Sequence, residues 1–377
     1  MASQLLRLVS SQLKVGAALP FGVRDEHGKL LLARGQVIDN EQQLAALMAR
    51  GLYADQEEVK AYKEGRSKEA DNAGGRRRTL FDLWEQSAWH LDRLLKSIDE
   101  PDFPARCDEF ATLQMDLVQR DVDIAIFLSV RQDPRRLPLY GLTHALNTAL
   151  VCQLMGQRVG WEPGAVRSLV KAALTMNLTI SELQGRIATM GRITDPQREQ
   201  VRAHPQAAAD KLRAAGVDDP RWLEAVQQHH ERKGPGGYPQ QLTNIAETAI
   251  ALRMADVFIA KISARTDRPA LSIQDAARQM FAEAGGSPLA SAIIKEYGIF
   301  PPGNVVQLVS GEQAVVIRRG GTALTPLAAA ITDKSGTPTV TTMRRDTGQP
   351  GYAIKGAVTD TSLVQRVPPE RLYGLAE

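Results

Sequence analysis

From residue 131 to 295, apolar side chains recur at the three-to-four-residue spacing of an α-helix, with only short breaks. Such a stretch hides its apolar stripes by packing them on one another, so it predicts a helical bundle. A helix over 142 to 159 ends at Gly160 and carries His144 one residue inside its start. In the next helix Val166, Leu169, Val170, Ala173 and Leu174 share a face, and the stripe runs on to Asn177. A polar side chain on a core face needs a partner. Thr194-Asp195-Pro196 opens another helix, His204-Pro205 marks a break, and a further helix stops at Gly216. The apolar helix over 245 to 262 is interrupted by Arg253, Asp256 and Lys261. A carboxylate buried at Asp256 must be paired, hydrogen-bonded or bound to a metal.

The flanks read differently. Residues 1 to 60 form a small α+β unit, with a hairpin turn at Asp25-Glu26-His27-Gly28, a short helix capped by Asn40 and a last strand at Leu52 and Tyr53. Residues 61 to 79, with Gly74-Gly75 and Arg76-Arg77-Arg78, lack apolar periodicity and read as a linker. Residues 80 to 130 are helical on either side of Pro101 and brace the bundle of 131 to 295. From 296 to 377, short strands between Gly, Pro and Asp turns predict a small barrel or curled sheet. The expected fold is mainly α, a central helical bundle flanked by a small N-terminal α+β segment and a small C-terminal β domain.

Charge and cysteine usage narrow the function. A net charge of +3, from 46 basic and 43 acidic residues, is too thin a basic excess for a nucleic-acid surface. No apolar run approaches the length of a membrane span, and the N-terminus lacks a signal-peptide pattern, so a cytoplasmic location is expected. Cys107 and Cys152 have no Cys or His at ligand spacing and read as reduced core thiols.

The chemistry concentrates in residues 222 to 239. Trp222, Leu223 and Val226 carry the adjacent His229 and His230 towards a buried side, and Gly234-Pro235-Gly236-Gly237 ends the helix ahead of Tyr238 and Pro239. Two readings fit: a metal or phosphate pocket with a rigid lip, or a capped helix followed by a surface turn. Four of the six histidines, at 144, 204, 229 and 230, fall in the bundle on inward faces. With Asp256 they make five candidate metal ligands.

The order of these motifs resembles that of the HD-GYP family, helical metal-dependent phosphodiesterases that hydrolyse the bacterial messenger cyclic di-GMP. The resemblance rests on His229-His230-Glu231-Arg232 followed by Gly237-Tyr238-Pro239, supported by His144-Ala145-Leu146-Asn147, His204-Pro205 and Met254-Ala255-Asp256-Val257-Phe258. It implies a residual site for one divalent metal, such as manganese or iron, on His144, His204, His229, His230 and Asp256. It also implies a ligand or partner surface at Arg232, Gly237, Tyr238, Pro239, Arg265 and Arg268, the last two resembling the family's phosphate-facing arginines. Guanidinium forks suit phosphate oxygens.

Where the family places its His-Asp pair, this chain has Met176-Asn177, followed by Leu178, Thr179 and Ile180. A neutral amide is a poor substitute for a carboxylate that bridges two metals. Tyr140 stands where some members have a Glu ligand, and Ile259 where they have a second Asp. The resemblance therefore implies a degenerate member, a bacterial signalling protein that binds cyclic di-GMP or a partner such as a diguanylate cyclase rather than hydrolysing the nucleotide efficiently. The alternatives are a weakly active metal-dependent phosphodiesterase and a non-catalytic scaffold like the related HDOD domains.

Overall fold

A computed structural model describes residues 79–375 except Lys233 and, ahead of them, only short stretches between residues 5 and 58. The chain divides into two units, Met1–Arg77 and Arg78–Glu377. In the first, four short antiparallel strands, β1 (Leu5–Arg7), β2 (Val23–Arg24), β3 (Leu30–Leu32) and β4 (Tyr53–Asp55), pair in the order β1-β4-β2-β3. The turn between β2 and β3 forms because the Asp25 carboxylate accepts from the backbone N–H groups of His27 and Lys29, while Gly28 takes a φ of 82°. The helix expected after Asn40 and the linker up to residue 78 lie outside the described residues.

In the second unit the Thr79 hydroxyl accepts from the Asp82 backbone N–H while the Asp82 carboxylate caps Thr79, and so starts α1 (Leu80–Lys96). Then come α2 (Phe103–Arg120) and α3 (Val122–Val130), separated at Asp121, whose carboxylate accepts from the first-turn N–H groups of α3. A six-residue 3₁₀ turn leads into α4 (Tyr140–Arg158), so His144 lies more than a turn inside its helix rather than at its start. The bundle continues as α5 (Pro163–Thr175), α6 (Ser181–Met190), α7 (Asp195–Ala214), α8 (Pro220–Gln228), α9 (Glu247–Ile262), α10 (Ile273–Glu283) and α11 (Pro288–Tyr297).

Helix α4 is buried almost all round and packs on α5, α6, α9 and α11, which makes it the axis of the bundle. At Gly141 a Cβ would sit 2.3 Å from the Ser181 carbonyl oxygen, so only glycine lets α4 approach the start of α6 this closely. Two expectations are corrected here. The stripe of α5 stops at Thr175, and Met176 and Asn177 are buried in the tight turn that follows, where the Asn177 carbonyl accepts from the Ile180 N–H. And His204-Pro205 does not break its helix, because α7 runs straight through Pro205 and buries Ala208, Ala209 and Leu212 on the far side.

The C-terminal region is one antiparallel sheet of β5 (Val305–Leu308), β6 (Gln313–Arg318), β7 (Leu327–Thr332), β8 (Pro338–Asp346) and β9 (Ile354–Ala357), in the order β8-β7-β6-β5-β9. Its edges β8 and β9 do not pair, so the sheet is open, not a barrel. One face buries Val305, Val315, Ile317, Ala329 and Ile331 against Phe81, Ile124 and Phe127 of α1 and α3. Short helices at Ser362–Gln365 and Pro369–Tyr373 complete that core.

Candidate metal centre

Three imidazoles meet where α7 passes the end of α8. His204, His229 and His230 each offer a ligand atom, and these atoms lie within 4.8 Å of one another. The aim of two of them is set by the backbone. Pro205 has no N–H for the carbonyl of Val201, four residues back, and His204 Nδ1 donates to that carbonyl instead. Helix α8 stops at Gln228, and His229 Nδ1 donates to the Val226 carbonyl of its last turn, 2.7 Å away. A carbonyl only accepts, so both protons sit on Nδ1.

The two Nε2 atoms therefore present lone pairs to each other, 3.2 Å apart. Burial and the neighbouring His229 push His204 down to about 3, and burial likewise lowers His229 and His230, so all three rings are neutral at physiological pH. Two facing lone pairs in a buried site repel unless a cation lies between them. Ligand nitrogens bonded at about 2.0 to 2.1 Å to one metal are separated by roughly 3 Å, so the geometry fits one divalent ion.

The lip is folded back onto this cluster. The Tyr238 ring stacks on His230 with centroids 4.6 Å apart and planes 15° from parallel, and His230 in turn lies 4.2 Å from His229. The Tyr238 N–H donates to the His230 carbonyl. Glu231, 2% exposed, accepts from the backbone N–H groups of Gln240 at 2.7 Å and Leu242 at 3.2 Å. A Cβ at Gly237 would lie 2.7 Å from the Arg232 nitrogen and 2.9 Å from the Glu231 carboxylate, so this turn needs its glycine. Arg232 is exposed, while Tyr238 and Pro239 are half-buried.

A second cluster runs alongside. His144 Nε2 and the Asp256 carboxylate are 2.7 Å apart, the Tyr140 ring stacks on His144 at 5.3 Å, and Arg265 donates to the Tyr140 hydroxyl at 2.7 Å with its guanidinium over that ring. Burial pushes the Asp256 carboxyl up, but the hydrogen bond with His144 and the neighbouring imidazoles outweigh it and hold the group below the usual carboxylate range. Arg268 pairs backbone to backbone with Arg265 and gives its own guanidinium to the Ala260 carbonyl.

Of the five candidate ligands, the structure thus gathers His204, His229 and His230 into one group and sets His144 and Asp256 apart as a pair. Residues 132–287 match the family model described as an HD domain. The cyclic di-GMP phosphodiesterase PA4108 of Pseudomonas aeruginosa is 33% identical over 140 residues, 36% of this chain and 33% of that protein. The chain therefore spans a third of the length of that relative. A solved structure, Bd1817, a "HDG"Y"P" protein from Bdellovibrio bacteriovorus, superposes with a TM-score of 0.50 at 14% identity, over 78% of this chain and 99% of that one, a likeness of fold.

The chain carries an HD-GYP-type domain.

Within the HD-GYP-type domain, sequence reasoning overlooked three features. Glu231 ties the lip to the histidine segment, a role its place in a polar turn did not announce. Pro205 aims His204 instead of ending a helix. Arg253, noted only as an interruption of an apolar helix, lies close enough to act electrostatically on Asp256, Tyr238, His229 and His230. Among the described residues no helix is long and apolar enough to cross a membrane.

Proposed function

We propose that the HD-GYP-type domain binds cyclic di-GMP beside a single-metal centre rather than hydrolysing it, acting as a cytoplasmic signalling protein. The observation that carries this reading is the ligand set. Among the described residues the group that fits a metal is three neutral imidazoles without a carboxylate, and Asp256 is already held by His144. His204, His229 and His230 would hold the ion. When bound, it supplies Lewis acidity towards a phosphoryl oxygen. Tyr238 closes the site at His230, and Arg265, braced by Tyr140, offers a cation to a phosphate. Activity of PA4108 on cyclic di-GMP supports that choice of nucleotide.

Nothing in this set bridges two metals, and Asn177, where the bridging aspartate is expected, is an amide. The intact His144–Asp256 pair favours one alternative, slow hydrolysis assisted by that carboxylate. Elemental analysis, calorimetry with cyclic di-GMP and turnover with manganese or iron separate the two. The expected result is no more than one metal per chain and saturable nucleotide binding, with turnover absent or unaffected by His229→Ala. Efficient turnover abolished by His229→Ala overturns the proposal.

A further inference from the structure

Helix α5 carries two stripes. Val166, Leu169, Val170 and Ala173 are buried in the bundle core, while Ser168, Lys171 and Thr175, three and four residues apart, form a polar stripe. All three of these meet the first turn of α8. Ser168 Oγ donates to the Asp219 carboxylate at 2.6 Å, and that carboxylate accepts from the Arg221 and Trp222 N–H groups that open the helix. Lys171 lies 3.6 Å from the same carboxylate and 3.4 Å from Asp108 of α2, with its ammonium over the Trp222 ring at 4.8 Å. Trp222 Nε1 donates to Thr175 Oγ1 at 2.8 Å. Trp222 is 1% exposed and Thr175 fully buried, so solvent does not compete for this bond.

These contacts add what apolar packing lacks. Burial of Ala225 and Val226 holds α8 to the bundle without direction, which leaves a helix of nine residues able to slide or turn slightly. Hydrogen bonds of fixed length and angle remove that freedom. His229 follows Trp222 by seven residues and continues α8 in helical conformation, so the two lie on one side, two turns apart. A shift at Trp222 is therefore a shift at His229, and metal–ligand distances tolerate only about 0.2 Å. The Thr175 hydroxyl gives its proton to the Lys171 carbonyl at 2.7 Å, which leaves its lone pairs to the indole N–H. The Thr175 carbonyl accepts from the Leu178 N–H at 3.1 Å. One residue thus ties the Met176-Asn177 turn to the helix that leads into His229.

We propose that Thr175 and Trp222 are positioning residues of the metal centre, fixing α8 on α5 so that His229 and His230 meet His204. The proposal rests on the single-metal reading above, and a readout taken without metal separates the two.

The test compares the full chain with Thr175→Val, Thr175→Ser, Trp222→Phe and a control, Tyr297→Phe, which removes a buried hydroxyl bonded to Ser129 at 2.9 Å. NMR of isotope-labelled histidine side chains in the metal-free proteins reports the surroundings of the His204 and His229 rings. Thr175→Val and Trp222→Phe should shift those signals, weaken manganese binding about tenfold, the lower end of the cost of losing a contact that orients a ligand, and change the absorption spectrum of the cobalt-loaded protein. Thr175→Ser keeps the hydroxyl and should match the wild type. Tyr297→Phe should lower Tm and leave the other three readouts unchanged. Unchanged imidazole signals or unchanged manganese affinity in Thr175→Val overturns the positioning role, as do equal changes in Tyr297→Phe. Signals that shift in Thr175→Val when the wild type binds neither manganese nor cobalt overturn the metal reading and leave the positioning of the histidines standing.

Discussion

At Pro205 the missing backbone N–H is replaced by an imidazole proton, and the backbone thereby fixes which nitrogen of His204 faces its neighbours. Pro205→Ala restores a competing N–H for the Val201 carbonyl. Manganese affinity, measured by competition with a fluorescent chelator, should then fall about 10 to 100-fold, the usual cost of losing a contact that orients a ligand. The Tm of the metal-free protein should not fall, since alanine is the better helix former. Unchanged affinity would show that the carbonyl does not aim the ring. The sequence alone points to a break at this position because proline inside a helix costs about 3 kcal/mol. Burial of Ala208, Ala209 and Leu212 keeps α7 intact, and that contribution comes from other helices. The histidines were legible for the opposite reason, since each carries its chemistry in its own side chain. Arg253 and Glu231 were not, because their meaning depends on neighbours distant in sequence.

At the level of elements, periodicity located the helices around the centre and the strands of the C-terminal sheet, but not how the elements meet. The turn Asp25 to Gly28 was readable because its side chain and its glycine act locally. Closure of the sheet was not readable, since it depends on whether β8 finds β9. The sheet has its own internal ion pair. The Glu312 carboxylate, ahead of β6, accepts from Arg345 of β8 at 2.6 Å and is held below the ordinary Glu range by that hydrogen bond, against the opposing effect of burial. A carboxyl whose folded pKa is depressed binds fewer protons folded than unfolded in the pH range between its folded and unfolded values. Its stabilisation is present above the unfolded value of about 4.3 and is lost as pH falls through the folded value. Tm measured from pH 7 down to pH 3 should therefore drop more steeply for the wild type than for Glu312→Gln, which starts lower. Parallel curves would show that the pair does not contribute.

Across the whole second unit, the helical braces and the sheet share one core. Phe127 is fully buried, with ring centroids 6.2 Å from Phe81 and 5.3 Å from Tyr373, and the Tyr373 hydroxyl donates to the Ile317 carbonyl. Arg131, just after α3, donates to the Val364 carbonyl at 2.6 Å across 233 residues of sequence. Arg319 next to β6 joins Asp123 of α3 to Glu296 of α11. Phe127→Ala should cost about 3 to 5 kcal/mol, as aromatic truncations in a core do. In urea unfolding followed by circular dichroism, helical and sheet signals should shift together; a shift confined to one of them would mean that the sheet folds independently. The same shared core has a consequence during synthesis. Phe81 and Phe127 leave the ribosome well before the strands and the Tyr373 ring that cover them, so their apolar faces stay open while the intervening bundle is translated. A cell producing this chain must keep the braces from sticking to other nascent proteins over that interval, which makes its yield sensitive to chaperone supply and to the pace of translation.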